Sequence, residues 1–253
     1  GLITARNGVN LSGGQLTVGT GVTIGVAGVA TFRSGRIDVG DSLDNLSIGE
    51  IAGDAYTTGT HNIAIGYDAL GITTSGIKNV AVGFNALGDN TTGSDNTALG
   101  YNSLALNTTG LRNTGLGGYT LDANTTGQYN TAVGTYALTG NTTGDSNTAL
   151  GYYTLAFNTT GDSNIAVGYD ALGDNTTASH NTAVGRAALS KNTTGTRNVA
   201  VGNYALELNE TANDNLAVGY EALESNTTGA YNVAVGNYAL DANTTANDNT
   251  AVG

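Results

Sequence analysis

The side chains with chemistry to offer are two histidines, thirteen tyrosines and a scatter of carboxylates. His61 and His180 each stand immediately before an Asn. Three such imidazoles gathered on a symmetry axis would make a metal site. The equivalent place elsewhere in the chain holds Lys78, Asp95, Arg112, Tyr129, Arg197, Asp214 and Asp248. A position that takes both signs of charge faces water, so no metal and no other cofactor is expected. Glycoside cleavage needs two carboxyl groups held about 5–9 Å apart. Asp68, Asp89, Asp170, Asp174, Glu207, Glu221 and Glu224 instead spread over several variable positions, which reads as solvation. The chain has no Cys nucleophile and no recognisable Ser/His motif, so a non-enzymatic protein is expected.

The tyrosines are more ordered. Tyr67, Tyr101, Tyr152, Tyr169 and Tyr220 occupy one recurring position, and Tyr119, Tyr136, Tyr153, Tyr204 and Tyr238 the next. Neighbouring strand residues face opposite sides, so one set is expected at the surface, where an aromatic ladder could stack on sugar rings. The first set is the candidate glycan contact. The plainer account, which carries more weight, is that the rings shield rung edges and fill grooves between chains. Asn-Thr-Thr, recurring from Asn90 onward, matches the N-glycosylation acceptor, but its regular placement reads better as corner chemistry. Stacked Thr also suggests ice binding. Two adjacent Thr at a corner would not form a flat hydroxyl face.

What positions these residues is a repeat of 17. Asn recurs at 45, 62, 79, 96, 113, 130, 147, 164, 181, 198, 215, 232 and 249, and Gly follows each by four, from Gly49 to Gly253. Residues 45–253 thus hold twelve copies of the unit and the start of a thirteenth. Asn79-Val80-Ala81-Val82-Gly83 alternates branched and small residues, the period-2 mark of a strand. Ala86-Leu87 reads as a second short strand facing inward. The recurring Gly, as Gly83, Gly100 and Gly134, is expected to make a positive-φ corner. The recurring Asn, as Asn79, Asn96 and Asn130, is expected to stack in amide ladders along the corners. Asn-Thr-Thr-Gly would supply the second corner through left-handed Asn and Gly. Two strands and two corners per unit describe an all-β solenoid or β-roll of 17-residue rungs. At a rung spacing of about 4.8 Å, twelve rungs make a rod of about 58 Å. Residues 1–44 lack the frame and read as a β-rich lead-in or cap.

Composition sets the remaining bounds. Lys and Arg total 8 against 20 acidic residues, giving a net charge of −12. That balance argues against nucleic acid and anionic membrane, both of which need clustered bases. No apolar run approaches the roughly 20 residues of a spanning helix, so no membrane insertion is expected. The chain lacks Met and opens at Gly1, as expected of a processed product or a piece of a longer protein. Each rung offers few large apolar side chains against the entropy of ordering 17 residues, which favours partner chains sharing a core.

At Asn-Thr-Ala-Val-Gly-x-x-Ala-Leu the sequence resembles the head repeats of trimeric autotransporter adhesins, which coil as trimeric β-rolls. With Asn-Thr-Thr-Gly inserted, the longer unit looks more like the tandem repeats of bacteriophage tail fibres. The resemblance covers residues 45–253 well and 1–44 loosely. It implies a parallel homotrimer, a shaft or head segment of a virion tail fibre mediating host attachment. Its partner would be itself, with a host glycan or protein receptor met through regions outside this chain. The alternatives are an adhesin on a bacterial surface and a monomeric ice-binding or scaffold solenoid.

Overall fold

The computed structural model describes residues 43–253. The lead-in expected over residues 1–44 lies, apart from Leu43 and Asp44, outside the described residues. The described residues form a parallel β-solenoid. Thirteen three-residue strands, from β1 (Leu46–Ile48) to β13 (Thr250–Val252), make one parallel sheet in sequence order. Each strand pairs with the next at an offset of one repeat, so that Val80 lies beside Thr97 and Ala81 beside Ala98. Among the described residues no helix is long and apolar enough to cross a membrane.

Each rung has one strand, not two. Ala86 and Leu87 lie in a turn, with Asn85 at φ +53° and Leu87 at φ +52°. The reason is geometric. A strand sends successive side chains to opposite faces, whereas Ala86 and Leu87 are consecutive and both fully buried. Two left-handed residues on either side of Ala86 let both point inward. The turn still bonds to its neighbours: the Asn85 amide donates to the Tyr67 carbonyl at 2.9 Å and the Leu87 amide to the Ser103 carbonyl at 3.0 Å.

The second corner also differs from expectation. Neither Asn90 nor Gly93 has positive φ; the left-handed residue is the one preceding the next Asn, as Asp95 at +59°. Gly83 stands at +138°, Gly100 at +141° and Gly134 at +121°. A Cβ on Gly83 would collide with the Gly100 carbonyl, so the close approach is between successive rungs of one chain.

The core is narrow and built from small residues. Ala81, Ala86 and Leu87 represent three repeating positions that are buried along nearly the whole stack. Val80 and Val82 flank Ala81 and point outward. The Ala position therefore faces the chain's own core and is not a contact between chains.

Two ladders of buried asparagine line that core. In the first, the Asn79 side-chain oxygen accepts the Asn96 amide at 3.0 Å, and the Asn79 Nδ2 donates to the Gly93 carbonyl at 2.9 Å. Asn96 and Asn130 repeat the pattern onto the Gly110 and Gly144 carbonyls. In the second, the Asn107 Nδ2 donates to Asn90 Oδ1 at 2.9 Å and to the Gly110 carbonyl at 3.2 Å. Buried amides are costly unless bonded, and here each one closes the turn that buries it. The first rung breaks the pattern coherently. Tyr56 replaces the ladder Asn, and its ring lies where a side chain on Gly53 would stand.

Candidate functional site

Two surfaces stand out once the rungs are stacked. The first is the outer face of the sheet. The last residue of every strand is aliphatic, from Ile48 through Val82, Leu116 and Val218 to Val252. The first residue is Leu, Ile, Val or Thr throughout. No charge interrupts either row. Leu99 is 50% exposed and Ile48 54%. Within this face Thr97, Thr114, Thr131 and Thr148 form four consecutive rungs of hydroxyls beside Leu99, Leu116, Val133 and Leu150. Sequence reading placed the Thr ladder at the corner instead. There Thr91 and Thr108 donate their hydroxyls to the Thr108 and Thr125 carbonyls, each at 3.0 Å.

The second surface is aromatic. Tyr67 stacks on Phe84 at 5.2 Å and Phe84 on Tyr101 at 5.1 Å, the planes within 10°. The ladder then moves to the adjacent position, because Gly118 and Thr135 leave Tyr119 and Tyr136 to continue it at 5.3 and 5.2 Å. It returns through Tyr152 and Tyr153 to Tyr169. Arg186 fills the next rung, its guanidinium 5.7 Å from the Tyr169 ring and 5.5 Å from the Tyr204 ring. Tyr220 and Tyr238 complete the row. Treating the two Tyr positions as separate sets conceals this continuity, and it omits Phe84 and Arg186. The signal was present: from Tyr67 onward, wherever the first position lacks a ring or Arg, the second supplies one, and only Glu50-Ile51 in the first rung has neither. Of the candidate glycan contacts, Tyr67, Tyr101, Tyr152, Tyr169 and Tyr220 are all exposed members of this single ladder. Between Tyr67 and Tyr101 the ring faces are turned toward one another.

Carboxylates border the ladder. Burial, then the charges of Asp89 and Asp54, holds the Asp68 carboxyl above its usual range. Burial followed by Asp174 does the same to Asp170. Glu207 is raised by burial and by Glu224, and Glu224 by burial, Glu221 and Asp241. A hydrogen bond to Glu221, with burial and the Glu221 charge behind it, pushes the Tyr220 hydroxyl up to about 12. The closest ion pairs lie elsewhere or to one side: Lys191 with Asp174 at 2.9 Å and Arg197 with Asp214 at 2.7 Å, with Arg112 and Asp95 at 4.0 Å. The Arg197 contact lowers the Asp214 carboxyl.

The remaining sequence candidates fall outside these surfaces. His61 is exposed, 3.9 Å from the Asp44 carboxylate, and His180 is exposed as well. No group of three His, Asp or Glu placed to hold a metal occurs among the described residues. The Asn-Thr-Thr asparagines from Asn90 to Asn226 are buried and Asn243 in the last turn is part-buried; the amide nitrogen that glycosylation would use already donates twice, as in Asn107. No protein-family model, curated protein or solved structure matches this chain.

Proposed function

We propose that this chain is a non-catalytic shaft segment of a homotrimeric attachment fibre, of the kind found in bacteriophage tails. The observation that carries the reading is the uncharged outer face of the sheet, with one row aliphatic from end to end and the other mixing aliphatic residues with Thr. Soluble monomers rarely expose a continuous apolar surface of this extent. Thirteen strands at about 4.8 Å, each about 10 Å across, present about 600 Å² per chain. Paired with an equal face, that buries about 1,200 Å², the lower bound of specific stable interfaces. Three such faces turned toward a common axis would remove the apolar rows from water and supply the burial that the small Ala-Leu core lacks. The rungs' lateral hydrogen bonds would give the shaft its stiffness, with receptor recognition by host-facing regions beyond this chain. Light scattering on the purified protein tests the reading. A mass near three times the 25.3 kDa chain supports it, and a mass of one chain overturns it.

One observation favours a second reading. The four-rung ladder Thr97, Thr114, Thr131 and Thr148 lies on a sheet face beside aliphatic residues, the arrangement an ice-binding solenoid would need. A monomer that shows thermal hysteresis would establish it in place of the fibre.

A further inference from the structure

The aromatic ladder changes character toward its C-terminal end. Tyr67, Phe84 and Tyr101 lie face to face and cover one another. Tyr204 and Tyr220 instead meet at 6.1 Å and 89°, and Tyr220 and Tyr238 at 5.5 Å and 73°. An edge-to-face contact covers a face of only one of its two rings, and the face of a π-system is its negative side; the Tyr204 ring already carries Arg186, which leaves Tyr220 and Tyr238 as the rings open to a ligand. Tyr220 and Tyr238 are solvent-exposed. The surrounding charge has the matching sign. The Glu221 carboxylate raises the Tyr220 hydroxyl, and its charge adds to burial in raising the Glu224 carboxyl. Neither glutamate belongs to an ion pair among the described residues; the Arg186 guanidinium lies against Tyr204, on the side of the row away from Tyr238, and Lys191 is held by Asp174.

The chain itself shows what such a surface accepts. Arg186 occupies a rung of the ladder with its guanidinium against the rings of Tyr169 and Tyr204. Arg112 repeats the contact at 5.4 Å over Tyr129. Guanidinium is more weakly hydrated than an ammonium and stacks on aromatic faces. Methylated ammonium groups are recognised in the same way.

We propose that Tyr220 and Tyr238, with Glu221 and Glu224 beside them, bind a weakly hydrated organic cation, a guanidinium or methylated ammonium group carried by a partner. The rings supply the faces and the glutamates the field, while small inorganic cations, which keep their water, gain only from screening. The site lies within one chain and does not depend on the homotrimer. Solution mass measured on the same sample therefore keeps failure of the fibre reading separate from failure of this one.

The test is a titration of the full chain carrying fluorotyrosine, followed by fluorine NMR. The probes are tetramethylammonium chloride and arginine amide, with sodium chloride at equal ionic strength as the control. The resonances of Tyr220 and Tyr238 should move saturably with the organic cations and not with sodium. Tyr220→Ala should weaken apparent binding roughly two- to five-fold, and Tyr220→Phe, which keeps the ring face, should preserve it. Glu221→Gln with Glu224→Gln should weaken it without altering the fold. Tyr238→Ala provides a second ring deletion at an exposed position. Tighter binding of arginine amide identifies a guanidinium partner, and tighter binding of tetramethylammonium a methylated one. Equal movement with sodium chloride, or binding unchanged in both Tyr220→Ala and Tyr238→Ala, overturns the proposal.

Discussion

The hydroxyl of Thr120 occupies the space that a side chain on Gly115 would need. A Cβ there would stand 2.8 Å from Thr120 Oγ1 and 2.6 Å from Ser103 Oγ. Those two hydroxyls share a 2.8 Å hydrogen bond, and Ser103 also donates to the Gly115 carbonyl at 3.0 Å. In most other rungs the strand centre is Ala opposite Ala, as Ala132 with Ala137; Thr154 also faces an Ala, Ala149, but turns its hydroxyl to the Gly168 carbonyl at 2.7 Å. The two departures from the repeat are therefore one compensated change. Gly115→Ala alone should destabilise the protein by about 1–3 kcal/mol through overpacking. Adding Ser103→Ala and Thr120→Ala should recover most of that loss, and chemical denaturation of the variants as a cycle measures the coupling. Additive costs would show that the positions are independent.

The asparagine ladder predicts a cost that depends on position. Asn147 accepts the Asn164 amide at 3.0 Å and donates to the Gly161 carbonyl at 2.8 Å. Asn147→Ala would orphan both inside the core, at about 1–3 kcal/mol for each unsatisfied group. Asn249→Ala, in the last rung, frees partners that water can reach and should cost much less. Hydrogen exchange at the Asn164 amide should speed up in the first variant only.

The ladder and the period were legible because stacking tolerates no change in residue count between rungs, so Asn and Gly recur at every seventeenth place. Which face of the strand turns inward was not. Val80-Ala81-Val82 invites the expectation that the larger residues are buried. The gap inside a rung, filled by Leu87 from the facing turn, has room only for Ala81. The turn itself was read as a strand because Leu87 at φ +52° is a conformation that L-residues seldom adopt. The aromatic site was visible only in part, since its members alternate between two positions and the continuity appears when rungs are superposed.

Stability should rise in mild acid. The carboxyls of Asp68, Asp122, Asp170, Glu207 and Glu224 are all raised, chiefly by burial. A raised folded pKa means that the protonated form is favoured by folding. Its contribution is full below the unfolded pKa and is lost as pH rises through the folded one. Asp214, lowered by Arg197, acts oppositely and loses its contribution only at more acidic pH. Protonation also relieves a net charge of −12. The thermal midpoint should therefore be higher near pH 5 than near pH 7, and a midpoint that falls over that interval would contradict the assignment.

Left-handed backbone at a residue with a Cβ reverses the usual effect of glycine. Ala187 stands at φ +54°, whereas Ala200, also buried, lies at the centre of a strand. Ala187→Gly removes a strain of about 1–2 kcal/mol against an entropic cost of about 0.5–1 kcal/mol, so it should be neutral to stabilising. Ala200→Gly carries that cost with no relief and opens a void. Thermal unfolding of the pair should separate them in that order.

The aliphatic sheet face separates self-association from folding. Leu116 and Leu150 point outward from their strands and contribute nothing to the Ala-Leu core, Leu150 being 37% exposed. Replacing both with Lys leaves every rung's hydrogen bonds and both asparagine ladders in place. If the face is where copies of the chain meet, burying like charges there is costly. The double variant should then fall to the mass of one chain while keeping its β-type circular dichroism. Matched replacements at Thr92 and Thr109, exposed at the corner away from the sheet face, should leave the mass unchanged. A double Lys variant that keeps the parental mass would place the contact between chains on another surface of the solenoid.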